Sequence, residues 1–179
     1  NWVLTIFDST VVIEPVVPWL RGTTMCQPWF SRLMMYYFND HDLVRLRPAR
    51  LHLERLLPLV KPPVLDIGKK PYTAHYEALV QGSYLSVDRD ARRNPDLLYD
   101  ILEAGFVEAA KIRFPSYETV LFVGMIGFGI DHPEQILTAF KAFHALLSNQ
   151  GTLLIGWNEP FLPRVKLASL ADGYQLGEL

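Results

Sequence analysis

The stretch Pro63-Val64-Leu65-Asp66-Ile67-Gly68 constrains this chain more than any other. An apolar run that breaks into Asp-x-Gly reads as a buried parallel strand ending in a tight turn. Tyr84-Leu85-Ser86-Val87-Asp88 repeats the pattern, a β-favouring run that stops on an acid. The spacing of the two runs predicts adjacent strands with a helix crossing between them, which is half of a nucleotide-binding α/β sheet. A carboxylate at the end of the second strand can accept hydrogen bonds from both hydroxyls of a ribose, so Asp88 points to an adenosine-bearing ligand.

The rest of the chain is consistent with that sheet. After Asp88 a polar stretch from Arg89 to Pro95 leads into Leu97-Leu98-Tyr99-Asp100-Ile101, a candidate short third strand. Tyr117-Glu118-Thr119-Val120-Leu121-Phe122-Val123-Gly124 predicts another strand, followed by a glycine-containing loop through Gly129. Asp131-His132-Pro133-Glu134 then predicts a helix start, with Asp131 and Glu134 as a loose capping box and Pro133 in the first turn. The helix runs over 133–147, its apolar face carried by Ile136, Leu137, Phe140, Phe143, Leu146 and Leu147. Asn149-Gln150-Gly151 reads as its closing turn, Thr152 to Trp157 as the next strand, and Gly173-Tyr174-Gln175-Leu176 as the start of a sixth. Strands alternating with helices imply an α/β fold, a three-layer sandwich with a mostly parallel sheet covered on both faces.

Upstream, Trp29 to Phe38 carries Phe30, Leu33, Met34, Tyr37 and Phe38 at helical spacing. Those aromatics suit either a core or a surface for a protein partner or second copy. Between Asp42 and Val60 the leucines suggest helix, with Pro48 opening a new segment and Lys61-Pro62-Pro63 ending it. The chain therefore divides into an N-terminal arm with helices, 1–50, and an α/β domain, 51–179. The absence of an initiator Met suggests numbering that begins inside a longer polypeptide.

Composition disfavours several classes. Seventeen basic and nineteen acidic residues give a formal charge of -2, without the basic field that holds nucleic-acid phosphates. No nucleic-acid partner is expected. The apolar stretch from Val3 to Leu20 is interrupted by Asp8, Glu14, Pro15 and Pro18, and each charge at bilayer depth costs roughly 2.5–3.5 kcal/mol, so no membrane span is expected. It reads better as a strand or packing arm. The single cysteine, Cys26, allows no internal disulfide and reads as a packed thiol, which fits a reducing, cytoplasmic setting. The histidines are too scattered for metal-ligand spacing, so no metal is expected.

The order Val64-Leu65-Asp66-Ile67-Gly68, then Val87-Asp88, then a strand through Val123, then Leu147-Ser148-Asn149-Gln150-Gly151-Thr152-Leu153-Leu154 resembles class I S-adenosylmethionine-dependent methyltransferases. The resemblance covers roughly Leu51 to Glu159 and implies a Rossmann-like domain with S-adenosyl-L-methionine as cofactor. It assigns Asp66 and Gly68 to the first turn, Asp88 to the ribose and Asp100 to the adenine edge, with Ile67, Lys70 and Arg89 as further candidate cofactor-binding residues beside them. Gly124 and Met125 follow at the end of the fourth strand. Asn149-Gln150-Gly151 is similar to the family's proline-glycine-glycine turn before its fifth strand. The family usually ends in an antiparallel seventh strand, for which this sequence has no room.

The departure lies in the first turn. Asp66-Ile67-Gly68-Lys69-Lys70-Pro71-Tyr72 puts Lys70 where the family has a second glycine. A residue with a Cβ there should reshape the pocket, because glycine lets the backbone approach a ligand and adopt angles costly for other residues. Either the loop takes another path, with a lysine meeting the cofactor carboxylate, or the fold survives as an inactive scaffold.

Methyl transfer rests mainly on orientation, so a dedicated base is optional. If the acceptor is a hydroxyl, His132 is the candidate base, because it lies in the loop after the fourth strand, at the carboxyl edge of the sheet. The alternative is a solvated residue at the helix start. His75 and Tyr76 follow the first turn, and His144 falls within the covering helix. No Asn or Asp with Pro-Pro-aromatic stands after the fourth strand, which disfavours base methylation. Glu159-Pro160 could hold substrate polar groups. The reading is a methyltransferase acting on a small molecule or glycan, at oxygen. The alternative is a catalytically inactive, partner-binding scaffold. A nicotinamide dinucleotide needs a longer glycine fingerprint.

Overall fold

A computed structural model describes residues 2–8, 53–157 and 174–178. The seven described strands are β1 (Trp2–Asp8), β2 (Val64–Ile67), β3 (Tyr84–Asp88), β4 (Leu97–Leu98), β5 (Tyr117–Val123), β6 (Leu147–Trp157) and β7 (Tyr174–Glu178). They form one sheet in the order β4-β3-β2-β5-β6-β1-β7, and every pairing is parallel. The described helices are α1 (Tyr76–Leu79), α2 (Phe106–Arg113) and α3 (Pro133–Leu146), with a further helical turn at 53–56.

Alternation along the central strands builds two cores. Leu65 and Ile67 of β2, Val120 and Phe122 of β5, and Leu153 and Ile155 of β6 face one side, with Phe106 and Ala110 of α2 and Phe140 and Phe143 of α3. Val64, Leu121 and Leu154 face the other, against Leu53, Leu57, Tyr76 and Val80. Period-two alternation with both faces apolar gives the near-continuous hydrophobic runs seen in the sequence. The result is the expected three-layer, Rossmann-like α/β sandwich.

The structure corrects several local expectations. The crossover between β2 and β3 contains only a 3-10 turn, Pro71–Thr73, and the single turn α1 instead of a full helix. β4 is only two residues long: Leu97 and Leu98 pair with Val87 and Asp88, and the Tyr99 N–H donating to the Asp88 carbonyl at 3.0 Å is the last rung of that ladder. The helix start is displaced by one residue. His132 is the N-cap, and the Gln135 side chain, not Glu134, accepts the Asp131 and His132 N–H groups at 2.9 and 3.1 Å. Asn149-Gln150-Gly151 lies inside β6, where one residue of β5, Glu118, opposes four of β6 between the pairs Tyr117–Leu147 and Thr119–Thr152. The turn chemistry is spent on that bulge.

Seven strands are reached from the other end of the chain. β1 pairs with β6, Val3 opposite Thr152, and β7 pairs with β1, Trp2 opposite Tyr174. The strand expected from Gly173 is β7, parallel. The helix expected at Trp29 to Phe38, the break at Pro48, Cys26 and Glu159-Pro160 lie outside the described residues. No described helix is long and apolar enough to cross a membrane.

Candidate functional site

The chain leaves β2 and builds outward through β3 to β4, then returns to place β5 on the other side of β2. The carboxyl ends of β2 and β5 therefore flank the point where strand order reverses, where open α/β sheets form their ligand crevice. A cavity of about 700 Å³ opens there, within the range of roughly 300–1,000 Å³ for small-molecule sites. Its wall includes Ile67, Gly68 and Lys70 after β2, Val87 to Asp90 after β3, Leu98 to Ile101 after β4, and Met125 with Phe128 to Ile130 after β5.

Gly68 turns the chain at φ +85°, and its N–H donates to the Val87 carbonyl at 2.8 Å, tying the β2 exit to β3. A Cβ at this position would run into the Met125 thioether sulfur. Lys70, in contrast, is extended at φ -122°, a conformation open to any L-residue. Its N–H donates to Thr73 Oγ1 at 2.9 Å, and that hydroxyl donates to the Lys70 carbonyl at 3.1 Å. The loop thus turns sharply at Gly68 alone and does not call for a glycine at position 70.

Asp88 is 9% exposed at the tip of β3. Its Oδ1 accepts the Asp90 N–H at 2.8 Å, and its Oδ2 lies 3.6 Å from Arg93 Nε. Asp90 caps the 3-10 turn Ala91–Arg93, and its two oxygens accept the Arg92 Nε and NH2 groups at 2.9 and 2.8 Å. Those Arg92 hydrogen bonds hold the Asp90 carboxyl down at about 2. Asp100 Oδ1 accepts the Leu102 N–H at 3.0 Å and its Oδ2 accepts Arg89 NH1 at 3.2 Å, so Arg89 reaches across from the β3 exit to the β4 exit. The other end of that guanidinium lies 3.5 Å from where a Gly129 Cβ would stand, on the β5 exit.

Seven of the residues singled out from sequence share this wall: Ile67, Gly68, Lys70, Asp88, Arg89, Asp100 and Met125. Asp66, Gly124 and His132 are not part of it. Asp66 is buried and accepts the Tyr84 hydroxyl at 2.5 Å, and burial followed by the Asp66 charge pushes that phenol far above its usual range. Gly124 donates its N–H to the Gly156 carbonyl at 2.9 Å. His132 is exposed at the start of α3. His75 pairs with Glu54 at 2.8 Å, and His144 is exposed on α3. Among the described residues no His, Cys, Asp and Glu group is arranged to hold a metal ion.

Sequence reasoning missed Asp90, Arg92, Arg93 and Phe128 on the wall. The run Arg89-Asp90-Ala91-Arg92-Arg93 directly after the β3 acid was the available signal. With Lys70, Arg89, Arg92 and Arg93 opposed by Asp88, Asp90, Asp100 and Glu103, the wall has no cationic surplus. No protein-family model, curated protein or solved structure matches this chain.

Proposed function

We propose that the crevice binds S-adenosyl-L-methionine and that the protein is a methyltransferase acting on an oxygen of a small molecule or glycan. The observation that carries this reading is the Asp88 carboxylate at the end of β3, on the wall of a cavity at the reversal of strand order. A carboxylate so placed suits a ribose diol. The residues present fit the rest of the group. Leu98, Ile101 and Phe128 supply apolar walls for an adenine, with Asp100 at its edge. The charge-balanced wall suits a zwitterionic ligand better than a pyrophosphate, which disfavours a dinucleotide.

When bound, the cofactor supplies an electrophilic methyl group on a sulfonium. The chain's part is to hold donor and acceptor in line and to shield them from water, which accounts for most of the rate in such transfers. The acceptor oxygen gains the methyl group and gives up its proton, leaving the donor sulfur as a thioether. His132 is the candidate to take that proton from an acceptor that extends past Ile130, the wall residue nearest to it in sequence.

The test is calorimetric titration with S-adenosylmethionine, its demethylated product and a nicotinamide dinucleotide, on the wild-type protein and on Asp88→Ala. Saturable binding of the first two, abolished in a folded Asp88→Ala protein, is the expected result. A folded protein that binds neither overturns the reading and leaves the scaffold alternative. Binding of the dinucleotide alone moves the site to a different chemistry.

A further inference from the structure

Arg93 touches both loops that form the ribose end of the crevice. From the 3-10 turn after β3 its NH1 donates to the Lys69 carbonyl at 3.2 Å, on the loop after β2. Its Nε stands 3.6 Å from Asp88 Oδ2 and 3.6 Å from Asp90 Oδ2, on the loop after β3. The side chain is only 23% exposed, unlike Arg89 at 63% and Arg92 at 89%. A second link runs the other way, from Lys69 Nζ to the Asn94 carbonyl at 2.8 Å. Asn94 is left-handed at φ 49° and ends the turn that carries Arg93.

We propose that Arg93 is a positioning residue that locks the β2 and β3 loops together and fixes which way Asp88 presents its carboxylate, setting the site's selectivity for an intact ribose diol. The inference rests on the adenosine-binding reading above. The Asp90 N–H already occupies Asp88 Oδ1, so Oδ2 is the oxygen better placed for a ligand hydroxyl, and Arg93 Nε flanks it. At 3.6 Å the guanidinium is close enough to orient that oxygen electrostatically and too far to take it up in a short hydrogen bond. A planar fork is needed to reach a carbonyl on one loop and two carboxylates on the other. A lysine offers one point charge and cannot span them.

The experiment measures adenosine and 2′,3′-dideoxyadenosine affinities by calorimetry on wild type, Arg93→Ala and Arg93→Lys, with hydrogen exchange followed at individual amides. Arg93→Ala is expected to weaken adenosine about tenfold and the dideoxy compound less than twofold, because the lost orientation matters only to the diol. Arg93→Lys should recover less than half of that loss. Faster exchange at the Lys69 and Asp90 amides, with unchanged exchange at Val120 and Leu121 in the sheet centre, is expected in both variants. Equal weakening of the two ligands overturns the proposal, because Arg93 then acts on the ligand directly or on the whole fold. Unchanged exchange at Lys69 and Asp90 overturns it as well. If wild type binds neither nucleoside, the functional reading fails, and the exchange result alone decides whether Arg93 locks the loops.

Discussion

Replacing Gly68 by alanine tests the first turn of the crevice without reference to any ligand. Two costs follow from the structure. At φ +85° an L-residue meets a backbone penalty of about 1–2 kcal/mol. The new methyl group would also overlap the Met125 side chain, whose Cγ would be 3.1 Å and Cε 3.4 Å away, with the sulfur closer still. Met125 is half-buried and flexible, so it can give way at the cost of an off-rotamer geometry, about 0.5–1.5 kcal/mol. The sum is about 1.5–3.5 kcal/mol, which for a domain of this size lowers Tm by about 3–14 °C. Urea unfolding followed by circular dichroism measures it, with an unchanged slope expected because both states keep their surface. The same substitution in a Met125→Ala background should cost only the backbone part, giving a coupling of about 1 kcal/mol. A cost below about 0.5 kcal/mol in the single variant refutes the left-handed turn. An identical cost in both backgrounds refutes the contact with Met125.

Two further outcomes follow from buried and surface groups. Burial pushes the Tyr117 phenol up from 10.0 to about 12, while its hydroxyl donates to the Ala110 carbonyl at 2.8 Å. The folded state therefore keeps a proton that the unfolded chain loses, so this contribution is complete below pH 10 and falls away as pH rises toward 12. Tyr117→Phe should flatten the decline of stability over that window and cost about 1–2 kcal/mol at neutral pH, read by urea titration across pH; an unaltered decline contradicts it. His132→Ala should change S-adenosylmethionine affinity by less than about twofold, because the imidazole is exposed and outside the cavity wall. A larger loss of affinity would bring that ring into the binding site.

The parts of the fold that were legible are those in which local chemistry and tertiary demand agree. β2 and β3 announced themselves because a strand covered on both faces is apolar throughout, and each run ends abruptly at the sheet's carboxyl edge on Asp66-x-Gly68 or Asp88. α3 was legible from its apolar stripe and Pro133, although its cap was not, because only the folded loop shows that Gln135 reaches back instead of Glu134. The place of β1 was not legible. Nothing in Trp2 to Asp8 says that its partners are β6 and β7, since pairing is decided by what remains open at the sheet edge. The position of Asp66 in the turn suggests a ligand contact, yet strand alternation puts its side chain on the face of Val64, against Tyr84. Arg92 and Arg93 were not legible for a related reason. Their sequence is a bare basic cluster, and the work of Arg93 depends on a carbonyl that lies on a different loop.

The order of the strands also bears on how the chain is made. β1 precedes both of its sheet neighbours, and Val3 pairs with Thr152, about 150 residues downstream. At synthesis rates of about 5–20 residues per second, β1 leaves the ribosome roughly 7–30 s before its partner exists. During that interval β2, β3 and β5 can pair with one another as they emerge, since all three lie between β1 and β6 in the sequence. Assembly of this sheet is therefore sequential in its middle and delayed at one flank. The segment Trp2-Val3-Leu4-Thr5-Ile6-Phe7, apolar and β-prone, waits unpaired until β6 has been made, and shielding of the nascent chain over that interval suits this topology.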